Sequence, residues 1–291
     1  MPSRRKKLTD WAWNNEDREA YAERLQDLPH PHEMLNDMYR VTISCKYLQN
    51  LFYYMDKFQN AQDASFFSNP ADSNNLFNED LGSNPKNYFD ASIIERDPNS
   101  DFRFEMLFKL QILHEGDSLT HDEYEKERKA SATSKEKEDC NRRIKQINDL
   151  SIHKYHIQVL DKIYSMEDDL KIKLNGNKDE NQTFNECKQF LKKAYHVTSP
   201  RPIKAKEDFS SQNPLNKLCF LQIIGKAPKD INIFEGDNTP IIENAFNHLT
   251  PPEKIRYYQI EKIAIKYESD INELITHKVR SSKILSGGNV R

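Results

Sequence analysis

Between Glu33 and Gln62 large apolar residues recur at alternating steps of four and three: Met34, Met38, Val41, Cys45, Leu48, Phe52 and Met55. That spacing keeps them on one face of a helix for three heptads. The stretch holds neither glycine nor proline, and at about 1.5 Å per residue it would be roughly 45 Å long. From Tyr47 a second stripe runs alongside, through Leu51, Tyr54 and Phe58. A helix apolar over so wide an arc is covered on two sides. The spacing therefore predicts the central helix of an all-α chain.

Composition agrees with helices that have narrow apolar stripes and large charged faces. The chain of 291 residues is 36% apolar and 31% charged, with a mean hydropathy of -0.89. Fifteen phenylalanines and 13 tyrosines argue for a packed core, because disordered chains are poor in aromatics. Seven glycines are roughly a third of average usage, which disfavours hairpin-rich sheets and glycine-lined nucleotide pockets. A net charge of -3 gives no global attraction to nucleic acid. Cys45, Cys140, Cys187 and Cys219 lie far apart and read as reduced core residues of a cytoplasmic protein. No signal-peptide core and no apolar run of membrane-spanning length is present.

The remaining chain divides by its breakers. Residues 1–8 form a basic flexible tail with Arg4, Arg5, Lys6 and Lys7. Residues 9–197 read as a helical N-terminal domain. Its first helix carries Trp11, Trp13, Tyr21, Leu25 and Leu28, and residues 63–100 form an irregular insertion rich in Asn, Asp, Ser and Pro. A helix capped by Ser100 or Asp101 follows, with Phe104, Met106, Leu107, Leu110 and Leu113 buried and Gly116 as its stop. Thr120 and Glu123 have the spacing of a capping box, and a break is expected near Ser131–Ser134. A long helix from about Lys135 to Leu174 and another from Glu180 to Val197, joined at Asn175-Gly176-Asn177, read as an αα-hairpin. After a linker at 198–214 comes a helical C-terminal region, 215–278, and then a flexible tail, 279–291. Its punctuation is Gly225, Thr239-Pro240 and the capping box Thr250-Pro251-Pro252-Glu253. Seven to nine helices are expected, as an irregular array of αα-hairpins. Either a globular bundle or a tetratricopeptide-like irregular solenoid accommodates them, since the W…LG…Y pattern and equal repeat lengths are absent.

Motifs for chemistry are absent. There is no phosphate-binding loop, dinucleotide fingerprint, nucleophile elbow, H-E-x-x-H, Glu-x-x-His or C-x-x-C. No cofactor is expected. Asp149, His153 and His156, spaced four and three, share a helix face and are the best metal or acid–base candidates. One straight helix seldom brings a zinc set to a point, so a solvated face is the simpler reading. His30, His32 and Glu33 read as a polar turn, and His196 and His248 as helix-end cations.

The function expected is non-enzymatic: binding and regulating another protein through a concave or grooved helical surface. Tyr47, Tyr54, Tyr257 and Tyr258 are the candidate anchors, because tyrosine tolerates a half-wet position. The bias to Lys, Asn and Ile together with long helices resembles secreted effectors of intracellular bacteria, or their regulators, in composition and not in motif. The alternatives are an enzyme whose site assembles only in three dimensions, and a nucleic-acid-associated protein using the basic tail.

Overall fold

A computed structural model describes residues 39–59, 67–68, 74–75, 90–96, 103–129, 131–173, 180–194, 202–228, 231 and 237–286. The basic tail, the first expected helix, the His30–Glu33 turn and most of the 63–100 insertion lie outside the described residues. The described chain is predominantly helical. In order it runs β1 (Tyr39–Cys45), α1 (Leu48–Gln59), β2 (Phe67–Ser68), β3 (Asn74–Asn75), β4 (Asp90–Arg96), β5 (Arg103–Leu110), α2 (Gln111–Glu127), α3 (Ser134–Lys173), α4 (Glu180–Ala194), α5 (Ala205–Asp208), α6 (Pro214–Ile223), α7 (Thr239–Asn247) and α8 (Pro251–Ser286). Contacts group these elements into two units.

The first unit takes in 39–43, 54–75 and 90–108 and is built on the sheet. The strand order is β1-β5-β4-β2, with β3 also on β4. Both short strands pair antiparallel to β4, Phe67 opposite Arg96 and Asn74 opposite Ser92. Met55, Ala91, Met106, Leu107 and Phe108 are buried, and the rings of Phe58 and Phe108 lie 6.0 Å apart.

Two expected helices are corrected here. The helix foreseen from Glu33 is a strand at Tyr39–Cys45, and the helix begins only at Leu48. Val41, Thr42 and Ile43 are β-branched, and 41, 43 and 45 alternate with polar 40, 42 and 44. That is a period of two, which the coincident three–four spacing masked. Likewise Arg103–Leu110 is a strand, and the helix starts at Gln111. Every residue from Met106 to Leu110 is buried, and a short run buried on both faces has no periodicity to distinguish strand from helix.

The second unit, 44–53 with 109–291, is helical and arranged on α3. At 40 residues α3 would extend roughly 60 Å, and it packs against α2, α4, α6 and α8. It opens on a capping box that the sequence reading overlooked. Glu136 accepts from the Thr133 N–H at 2.7 Å and from its hydroxyl at 2.8 Å, while Thr133 Oγ1 accepts from the Glu136 N–H at 3.2 Å. The box expected at Thr120 and Glu123 is inside α2 instead, where Thr120 donates to the Asp117 carbonyl. The other box is in place: the Thr250 N–H and hydroxyl both donate to Glu253 at the start of α8. Helix α6 ends in a Schellman motif: Gly225 has φ of 71°, Lys226 N–H reaches the Leu221 carbonyl and Gly225 N–H that of Gln222.

Residues 203–211, within the expected linker, are laced to α8. Asn272 accepts from the Ile203 N–H and donates to its carbonyl, Glu268 accepts from Ala205 N–H and Glu261 from Ser211 N–H. Helix α8 itself continues to Ser286, past the expected end near Lys278.

Gly116 was expected as a helix stop and sits mid-helix in α2. A Cβ there would meet Ile147 Cγ2 and Ser151 Oγ of α3 at 3.4 Å, which is snug contact without overlap. Removing a glycine from a helix interior is worth roughly 0.5–1 kcal/mol. Gly116→Ala should therefore raise the urea midpoint. A lowered midpoint would mean that α2 and α3 need the bare backbone to approach.

Candidate functional site

Asp149, His153 and His156 do share one side of α3, but their surroundings separate them. Asp149 Oδ2 is 2.8 Å from Lys145 Nζ at the surface. His153 Nε2 meets Asn216 Oδ1 of α6 at 2.5 Å, and its ring lies nearly parallel to Phe209, centroids 5.7 Å apart. His156 is fully enclosed, its ring 6.4 Å from Phe209 and 6.5 Å from Tyr155. Asn216 donates both Nδ2 protons, to the Asp208 and Ser210 carbonyls. Its oxygen therefore faces the imidazole, and His153 carries its proton on Nε2. Burial lowers the His153 pKa, and burial followed by the nearby His153 lowers that of His156 to about 3. Both rings are neutral packing elements at pH 7. Among the described residues no three His, Cys, Asp or Glu side chains come together to hold a metal ion.

The four tyrosines occupy three kinds of position. Tyr257 is in the core, 2% exposed, between Phe220 and Phe246, with its hydroxyl donating to the Ser211 carbonyl. Tyr47 is half-buried, edge-on to Phe190 at 5.4 Å, and burial and then Asp161 raise its pKa to about 12. Tyr54 and Tyr258 are open to solvent, 46% and 43% exposed. Of the expected anchors, Tyr257 is a core residue, and Tyr54 and Tyr258 have the exposure an anchor needs.

Tyr258 is part of a surface that the sequence reading missed. Ile255, Tyr258 and Ile265 are spaced three and seven on α8, so they fall on one side of the helix. All three are exposed, at 55%, 43% and 39%, while Tyr257, Ile260, Ala264 and Tyr267 on the opposite side are buried. The outer residues are legible in the sequence from their spacing of three and seven on one helix.

A polar cleft of about 320 Å³ lies where α2 hands over to α3, lined by Glu123, Lys126, Lys129, Glu136, Cys140 and Arg143 among others. Burial raises the Glu123 pKa, but Lys126 at 2.6 Å and Arg143 at 3.6 Å outweigh it and hold the group below the usual carboxylate range. Burial and the Glu123 charge push the Cys140 thiol up. The thiol is therefore protonated, and thiolate chemistry needs the opposite shift. The carboxylate is neutralised by its cations, and Glu136 is occupied at the Thr133 cap. None of these groups is poised as a general base or nucleophile at neutral pH.

No family model, curated protein or solved structure matches this chain. No helix among the described residues is long and apolar enough to cross a membrane.

The buried histidines set a pH window. Unfolding frees each imidazole to take a proton near pH 6.5, whereas in the fold burial lowers the pKa of His153 and takes that of His156 to about 3. Stability should thus be full above about pH 6.5 and fall below it, by up to about 1.4 kcal/mol per pH unit for each histidine. The lowered carboxylates Glu123, Glu136, Asp237 and Glu253 act only further into acid. Urea unfolding at pH 7 and at pH 5.5 should show the loss, and His156→Gln should flatten it. An equal slope in the variant would mean that His156 is protonated in the fold.

Proposed function

We propose that this protein has no catalytic role and acts in the cytoplasm by binding another protein and regulating it. The surface would be a groove or concave face in an irregular array of helical hairpins. The observation that carries the reading is the outer face of α8, where Ile255, Tyr258 and Ile265 are exposed on a helix whose opposite side is core. A rigid helix displaying an aromatic flanked by aliphatic side chains supplies the kind of anchor that dominates protein interfaces. Tyr258 is held from behind by Phe246 and Tyr257, with ring centroids at 6.1 and 5.5 Å. Little side-chain entropy would then be lost on binding. The neutralised charges and protonated thiol of the α2–α3 cleft favour binding over an enzymatic role.

The test is affinity capture with quantitative mass spectrometry, comparing the wild-type chain with Tyr258→Ala and with Ile255→Asp. Tyr258→Ala is expected to weaken capture of one specific protein by about 2 kcal/mol or more while leaving the melting temperature nearly unchanged. Tyr257→Ala should lower the melting temperature instead, as a core truncation does. If the α8 variants and the wild type capture identical sets of proteins, this face is not the interface.

A further inference from the structure

Among the described residues the sheet ends at β1. In the order β1-β5-β4-β2, β1 has β5 on one side and, among the described residues, no strand on the other. An edge strand leaves a row of backbone N–H and C=O groups as a template for another strand. Folded proteins blunt such an edge with proline, lysine, a bulge or a covering element. Tyr39–Cys45 contains no proline, glycine or lysine. Its one charge, Arg40, is turned onto the neighbouring strand, where Nε and an Nη atom reach Glu105 of β5 at 2.7 and 2.6 Å. Val41 is 52% exposed, and Thr42 and Ser44 are exposed beside it. The β-branched run Val41-Thr42-Ile43 holds an extended backbone without help from a partner.

We infer that the open edge of β1 pairs antiparallel with β1 of a second copy of this chain, about a two-fold axis at Thr42. A symmetric antiparallel pair must bring residues of the same facing opposite each other, so its axis falls at a residue. Centred on Thr42, every residue of the strand finds a partner. Thr42 faces Thr42, Val41 faces Ile43, Arg40 faces Ser44 and Tyr39 faces Cys45. Threonine pairs and β-branched pairs are favourable across a ladder, and no like charges meet. A register centred on Val41 matches only Tyr39 through Ile43, and one centred on Ile43 only Val41 through Cys45. Centring on Arg40 would set two guanidinium groups against each other. Length, charge and side-chain shape therefore select one register. The contact is a strand-addition interface, in which main-chain hydrogen bonds supply the affinity and the facing side chains fix the register. It uses no residue of α8, so it stands or falls separately from the partner surface there.

Sedimentation equilibrium of the full chain over a wide concentration range tests it, together with oxidation of Thr42→Cys by oxidised glutathione. The average mass should rise with concentration from 34.3 kDa toward twice that value. Val41→Lys, which puts a charge on the edge, should weaken dimerisation about tenfold or more. Across an antiparallel pair, directly opposite Cα atoms are about 4.5–5.5 Å apart, within disulfide range. Thr42→Cys should therefore cross-link to a dimer. All four native cysteines are free and buried, so the new thiol reports alone. Leu119→Cys, exposed on α2, is the control and should cross-link far more slowly. If Val41→Lys fails to fold by circular dichroism, the cysteine pair decides the matter. The inference is overturned by a mass that stays at the monomer value, by a dimer that a folded Val41→Lys chain keeps, or by equal cross-linking of the two cysteine variants.

Discussion

One buried hydroxyl closes two helix ends. Tyr155 of α3 is 1% exposed. Its oxygen accepts the N–H of Leu48, the first residue of α1, at 3.1 Å, and its proton goes to the carbonyl of Ala194, the last residue of α4, at 2.8 Å. Both groups are orphans by helix geometry, because neither has an intrahelical partner. Both sit beside fully buried apolar residues, Leu48 and Ala194 themselves, where water cannot substitute. Leaving either unmade would cost about 1–3 kcal/mol. One turn further along, Gln158 donates to the Lys46 carbonyl at 2.8 Å and ties the same entry to α1. The first turn of α1 is thus held to α3 by hydrogen bonds of definite direction, where apolar contact alone would allow sliding.

The same device recurs along α3. His153 holds Asn216 and with it the turn before α6. Asp161, buried, receives both Nε and an Nη atom of Arg256 from α8. Glu167 accepts from Lys266 and from the buried Tyr267 hydroxyl, also on α8. Only the carboxylates of these pairs are buried, the cations being partly exposed; such pairs contribute little net stability after desolvation, but a wrong register leaves each buried carboxylate unpaired. Their effect here is to set which turn of α8 meets which turn of α3. This also explains how a chain that is 31% charged builds a core around one very long helix. Its apolar stripes are narrow, and the polar residues between them are used as keys.

The helices of the second unit were legible because their signals are local. The Thr250–Glu253 box and the Gly225 stop each lie within a few residues of what they specify. What the sequence could not show was the identity of distant partners. Tyr155 reads as an ordinary apolar-face tyrosine until Leu48 and Ala194 are beside it. The shared face of Asp149, His153 and His156 was correct as helix geometry. Whether it meets metal, water or Asn216 depends on a residue 63 positions away. The two misread strands failed for the opposite reason. Tyr39–Cys45 satisfies helix and strand periods at once, and the sheet contacts that decide between them are made with β5.

Native-state hydrogen exchange on the wild type and on Tyr155→Phe tests most directly whether α3 keys its neighbours through buried polar groups. The substitution keeps the ring and removes only the hydroxyl. Protection should drop at the start of α1, from Leu48 through Leu51, and over the last turn of α4, while the α8 amides facing Asp161 and Glu167 hold theirs relative to global unfolding. Unchanged protection at both helix ends would contradict the account, and so would a uniform loss across all the helices.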